Sequence, residues 1–166
     1  KYVDLILGKQ CQTKMGRGGI RPLEFKTFSK EMQNAITNYC QAGGNFFVSG
    51  AYVASDLWDN RLVKANEEDK KFAMEVLKYK WRVGQAARNG KVKSVASPFP
   101  EITGSYTYYQ DLNPESYVVE SPDALEPAAQ GAFTILRYSE NNLSAGIAYK
   151  GNYKTCVLGF PFEAIR

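Results

Sequence analysis

Val48-Ser49-Gly50-Ala51-Tyr52 is where this chain comes closest to the pattern of a reactive centre. A serine at the end of a short apolar run, beside a glycine, suggests a nucleophile on a turn. The flanking pattern is not Gly-x-Ser-x-Gly, however, and a serine hydroxyl needs a base to take its proton. The 166 residues contain no histidine, which removes Ser-His-Asp and Cys-His arrangements within the chain. A Ser-Lys arrangement stays open in principle, but the spacing places no lysine beside Ser49. A serine that only shapes the turn explains the motif without chemistry.

Carboxylates and rings are the second resource. Asp56, Trp58 and Asp59 follow closely on that turn. Two carboxylates near an aromatic ring are the equipment of glycoside hydrolysis, one as acid and the other as base or nucleophile. Glu163 follows Phe160-Pro161-Phe162 and can reach the same end of the sheet or cap a helix beyond it. Aspartates that cap helices or bind loop main chain account for the same residues. From residue 94 to 136 there is no lysine or arginine, but there are six acids and many tyrosines and prolines, Tyr106 and Tyr108 among them. Rings beside carboxylates suit the faces of sugars; a tyrosine-rich lid over the core is the plainer reading. This acidic stretch follows a basic one, Lys78 to Lys93. It either folds back over those charges or leaves them to guard a strand edge.

Three cysteines are too few for a disulfide framework. Without histidine they also make a poor zinc set, so neither metal nor cofactor is expected. Cys40 and Cys156 read as small buried apolar residues, and Cys11 alone lies near the presumed site. A net charge of +4 is too mild to imply nucleic acid, and no apolar run has the length of a membrane span. The length suits one domain, residues 1–166. The strand-like opening and the abrupt end suggest a piece of a larger protein.

The elements that would position these residues are partly legible. Residues 2–7 read as a buried strand, with Asp4 at an edge or facing the sheet end. Ser29 is a good N-cap, because its hydroxyl can accept from a free N–H of the first turn. Met32, Ala35, Ile36, Tyr39 and Cys40 then form one apolar stripe on a helix. Gly43-Gly44 ends it, and Phe46-Phe47-Val48 follows as a buried strand. Helix, glycines and strand form half of a parallel α/β unit, in which ligands bind beyond the carboxyl ends of the strands. A second helix is predicted over 66–79, capped by Asn66. Arg88-Asn89-Gly90 between two extended runs predicts a hairpin, and three strands are predicted near 132–138, 143–149 and 153–159. Lys14 to Arg21 is a glycine-rich connector without the ending of a phosphate-binding loop.

Two stretches carry a family resemblance. Ala42-Gly43-Gly44-Asn45-Phe46-Phe47-Val48-Ser49-Gly50-Ala51-Tyr52 resembles a segment of class I glutamine-amidotransferase-like domains. Cys156-Val157-Leu158-Gly159-Phe160-Pro161-Phe162-Glu163-Ala164-Ile165 is similar to their ending. The combination looks most like a domain of large exported bacterial proteins of the xanthan-lyase or golvesin-like kind. The resemblance implies a three-layer, flavodoxin-like α/β fold, with a mainly parallel sheet and antiparallel C-terminal strands. It also implies an extracytoplasmic setting beside other domains of the same polypeptide, some acting on polysaccharide or cell wall. No family catalytic residue carries over, because the chain has neither the cysteine elbow nor the histidine. The expectation is therefore a non-catalytic accessory or binding domain that contacts ligand through Ser49, Tyr52, Asp56, Trp58, Tyr106, Tyr108 and Glu163. The alternative is a polysaccharide-active enzyme using loop carboxylates and a tyrosine.

Overall fold

The helix predicted from Ser29 forms where its cap dictates. In the computed structural model, which describes residues 1–15, 23–58, 65–111 and 114–166, α1 spans Lys30–Gln41. The Ser29 hydroxyl accepts from Met32 N at 3.3 Å, and Gly43, at φ +83°, takes the left-handed turn beyond the helix. The buried face is not quite the predicted stripe. Ile36 and Cys40 are buried, but Ala35 is exposed. Gln33 is buried in its place. Its amide donates to Phe28 O at 3.0 Å and to Asp69 Oδ1 at 2.8 Å, so a polar residue ties α1 to the second helical segment.

The sheet departs from the expected architecture. The strands are β1 (Tyr2–Ile6), β2 (Thr13–Met15), β3 (Leu23–Phe25), β4 (Asn45–Ser49), β5 (Tyr79–Val83), β6 (Lys91–Ser94), β7 (Ser105–Thr107), β8 (Ala124–Pro127), β9 (Ala132–Tyr138), β10 (Ser144–Lys150) and β11 (Lys154–Leu158). Seven of them form one mixed sheet in the order β1-β4-β11-β10-β9-β6-β7, and β2-β3 and β5-β8 are separate two-stranded ribbons. Only the β1/β4 and β4/β11 pairs are parallel; the other pairs in the large sheet are antiparallel. The protein is mostly β, and the expected three-layer, mainly parallel, flavodoxin-like fold is overturned.

The reason lies in the connections. Parallel neighbours need a long crossover, usually a helix, and α1 supplies one between β1 and β4. Among the described residues, the α-helices after β4 are short: α2 (Ser55–Trp58), a single turn, and α3 (Glu67–Phe72), which runs into a π-helical turn at Ala73–Leu77. Later links such as Asn141-Asn142 and Gly151-Asn152 are tight turns, which join antiparallel strands.

Other expectations need correction too. Tyr79 opens β5 rather than closing the second helix, because Lys78 breaks the helix at φ +69°. The hairpin predicted at Arg88-Asn89-Gly90 does not form. β5 pairs with β8, and β6 pairs with β7 and β9. The acidic segment thus reaches the basic one through β8, where Glu126 pairs with Arg82. β1 is a strand, but an exposed one at the sheet edge. Most of the glycine-rich connector, and Asp59, lie outside the described residues.

Two apolar clusters hold the sheet. One gathers Phe28, Ile36, Cys40, Phe46, Val48, Phe72, Leu77 and Val157 between the helices and one sheet face. The other gathers Tyr108, Val119, Ile135, Tyr138, Leu158 and Phe160, under the tyrosine-rich segment. Burial on this scale contributes about 25 cal/mol per Å² of apolar surface.

Candidate functional site

The carboxyl ends of β1, β4 and β11 lie side by side, so Gly8, Ser49-Gly50-Ala51 and Gly159-Phe160 form one rim. Main-chain bonds close it: Leu7 N donates to Ser49 O, Ala51 N to Gly8 O and Gly50 N to Leu158 O. Ser49 is wholly buried. Its hydroxyl accepts from Phe162 N at 3.2 Å, which fixes the short 3₁₀ turn Phe162–Ala164.

Asp56 is also buried. Its Oδ2 accepts from Gln12 N at 2.7 Å and from the Thr27 hydroxyl, while Gln12 Nε2 donates to Asp56 O. These bonds clamp both feet of the β2–β3 ribbon to α2. Burial raises the carboxyl to about 6, against the pull of Thr27 and Gln12. Asp123, absent from the sequence-based candidates, is completely buried. Its Oδ2 accepts from Ala54 N at 2.8 Å, Ser55 N at 2.9 Å and Ser55 Oγ at 3.3 Å, and its Oδ1 accepts from Trp81 Nε1 at 3.2 Å. Burial outweighs these donors and raises it to about 7. An acid just before an apolar strand was the only sequence signal for it.

Outside these groups sits a half-buried to exposed layer. Tyr117 donates its hydroxyl to Glu163 Oε1. Lys9 Nζ pairs with Glu120 at 3.0 Å and lies 5.8 Å from the centre of the Tyr117 ring. Burial, and then Glu163, push the Tyr117 phenol well above its ordinary value. Half-buried Tyr52 is raised by burial first, then by Cys11, Glu120, Asp56 and Asp123.

The other candidates lie elsewhere. Trp58 packs against Tyr79, ring centres 6.1 Å apart, beside the helical core. Tyr108 is buried and stacked on Phe160 at 4.9 Å. Its hydroxyl has no partner among the described residues. Tyr106 donates to Thr103 O at 2.7 Å, on the far edge strand β7. Of the seven candidates, Ser49, Tyr52, Asp56 and Glu163 gather at the rim, and Trp58, Tyr106 and Tyr108 do not. Tyr117, Lys9 and Glu120 complete the rim and were missed, because their loops approach it only in three dimensions.

The chemistry open to this arrangement is narrow. Ser49 has its oxygen on a main-chain N–H and is closed off from solvent. The buried acids are occupied by main-chain and side-chain donors. Tyr117 holds its proton at neutral pH, so it is a poor base. Burial raises the thiols of Cys40 to about 11 and Cys156 to about 12, which makes both inert. Among the described residues, no three Cys, Asp or Glu groups converge as a metal site. No helix there is long and apolar enough to cross a membrane.

Comparison with known proteins adds a fold. No family model matches the chain, and no curated protein matches it. Among solved structures, it is similar to the cold-adapted β-galactosidase from Rahnella sp. R3, with a TM-score of 0.52 and 14% identity over 82% of this chain. The match spans 18% of the length of that enzyme. The mmIFT52 N-terminal domain aligns at a TM-score of 0.38 and 17% identity, over 80% of this chain and 60% of that one. Neither is described as a glutamine amidotransferase or a xanthan lyase. The likeness to the β-galactosidase is one of fold: this chain has the architecture of a part of that larger enzyme.

Proposed function

We propose that this chain is a non-catalytic accessory domain of a larger, extracytoplasmic carbohydrate-related protein. Its rim of half-buried Tyr52, Tyr117 and Lys9 with exposed Glu163 and Glu120 contacts saccharide, and its other partners are further domains of the same polypeptide. One observation carries the reading: the groups at the strand ends with reactive chemistry hold the fold together, while the groups there that reach solvent, partly or fully, are hydrogen-bonding and aromatic. A phenol ring flanked by carboxylates and an ammonium offers an apolar face and polar edges, as a sugar does. The fold shared with part of a β-galactosidase supports a carbohydrate setting by analogy only.

The test is titration of the protein with neutral and acidic oligosaccharides, galactosides included, followed by amide chemical shifts. Saturable shifts at Tyr52, Tyr117 and Glu163 are expected, with affinity weakened about tenfold by Tyr117→Ala. No saturable binding to any glycan on a broad array would remove the proposal. Asp56 and Asp123, raised to about 6 and 7, are the observation that favours the enzyme instead, since acid–base catalysts carry such values. That reading requires turnover of a polysaccharide by the isolated protein, lost in Asp56→Asn while folding is kept.

A further inference from the structure

β1 ends the large sheet, and nothing among the described residues pairs with its outer side. Natural edge strands carry protection such as a proline, a bulge or inward lysines. The run Tyr2-Val3-Asp4-Leu5-Ile6 has none of these, and its one charge is the exposed Asp4. Tyr2 is 79% exposed, Ile6 44% and Val3 42%.

The ladder on the inner side fixes which groups face out. Lys1 O accepts from Asn45 N at 3.1 Å, and Leu7 N donates to Ser49 O at 2.9 Å. Main-chain groups of a strand alternate between its two edges. Odd-numbered residues therefore bond to β4, and Tyr2, Asp4 and Ile6 turn their N–H and C=O groups outward. The same three side chains share the sheet face of Phe47, which is the register partner of Asp4.

We propose that this edge is a self-association surface, on which β1 of a second copy adds in antiparallel register about Val3. A two-fold axis normal to the sheet makes facing residues both even or both odd. Centring on Asp4 sets like carboxylates directly opposite one another, which destabilises the pair. Centring on Leu5 carries the second copy into the turn at Gly8, where φ is +57°. Centring on Val3 puts Tyr2 of each copy opposite Asp4 of the other, a hydroxyl donor against an acceptor. Both form hydrogen-bonded pairs of the ladder, and the Val3 side chains meet on the axis. A five-residue edge covers less than the ~1,200 Å² of a stable interface, so the dimer is a weak one.

The test is sedimentation equilibrium of the whole chain from about 10 µM to about 1 mM, a range chosen for weak association. A rise in mass from monomer to dimer is expected. Tyr2→Asp faces Asp4 of the second copy and should raise Kd at least about tenfold, whereas Tyr2→Lys should leave it equal or lower. Asp4→Pro removes an outward N–H, spares the bonds to β4 and should give monomer; circular dichroism checks that each variant folds. Amide exchange supplies a second readout. At high concentration Tyr2 and Asp4 should slow, and Val3 and Leu5 stay protected throughout. A monomer over the whole range, meaning that the edge is left to a different strand or to none, overturns the proposal. So does a dimer indifferent to Tyr2→Asp, or exchange at Tyr2 and Asp4 that ignores concentration.

Discussion

Asp123 carries more structural duty than any residue singled out from the sequence. One carboxylate satisfies the main chain of Ala54 and Ser55 and the indole of Trp81. Asp123→Ala leaves these buried donors unpaired, each worth about 1–3 kcal/mol; a loss above about 3 kcal/mol is expected in urea unfolding. Its pH effect has a definite sign. Folding raises Asp123 from an ordinary value of 3.8 to about 7, and Asp56 to about 6. The native state therefore keeps protons that the unfolded chain releases, and stability falls as pH climbs from about 4 to about 7. Above that window both states are ionised and the effect is constant. Asp123→Asn should flatten this slope, as read from urea midpoints at several pH values. Ser49→Ala should cost only about 1 kcal/mol, through the lost acceptor for Phe162 N. At this scale the sequence shows which residues can ionise. It does not show their burial, which sets the protonation of Asp56 and Asp123.

Elements were most legible where local chemistry defines them. Asn66 accepts from Asp69 N at 2.8 Å, and the Asp69 carboxylate returns to Asn66 N at 3.4 Å, a reciprocal cap. Asn66→Ala is expected to cost about 1 kcal/mol, read as a lower melting temperature with the fold retained. The Asn89-Gly90 turn was legible as a turn, with Gly90 at φ +61°, but not as a hairpin. The strands on either side pair elsewhere instead: β5 with β8, and β6 with β7 and β9. Gly159 marks another long-range contact. A Cβ there would collide with the Asp123 carbonyl, so Gly159→Ala should destabilise by about 1–3 kcal/mol or more. A differential scanning measurement beside Gly104→Ala, where a Cβ meets nothing within 4 Å, separates crowding from the strain of a positive φ.

For the whole molecule, the decisive fact is the sheet order. β4 and β11 are adjacent although more than a hundred residues separate them. That adjacency brings Ser49, Phe162 and Glu163 to one rim, and it leaves β1 at an open edge. If the edge pairs as proposed, self-association should change at Tyr2 without altering saccharide titration at Tyr117, so the two surfaces are separable by experiment. By itself the sequence determined the capped helix, the strand that follows it, the C-terminal strands and the absence of an imidazole base. Those depend on spacing, capping and composition, which act within a few residues. Only the tertiary structure decided that the sheet is mostly antiparallel, that Ser49 and Asp56 are closed off from solvent, and that Tyr117 rather than Tyr108 faces outward. Those outcomes depend on which distant strands bury each other's apolar faces, a competition among contacts that no local pattern records.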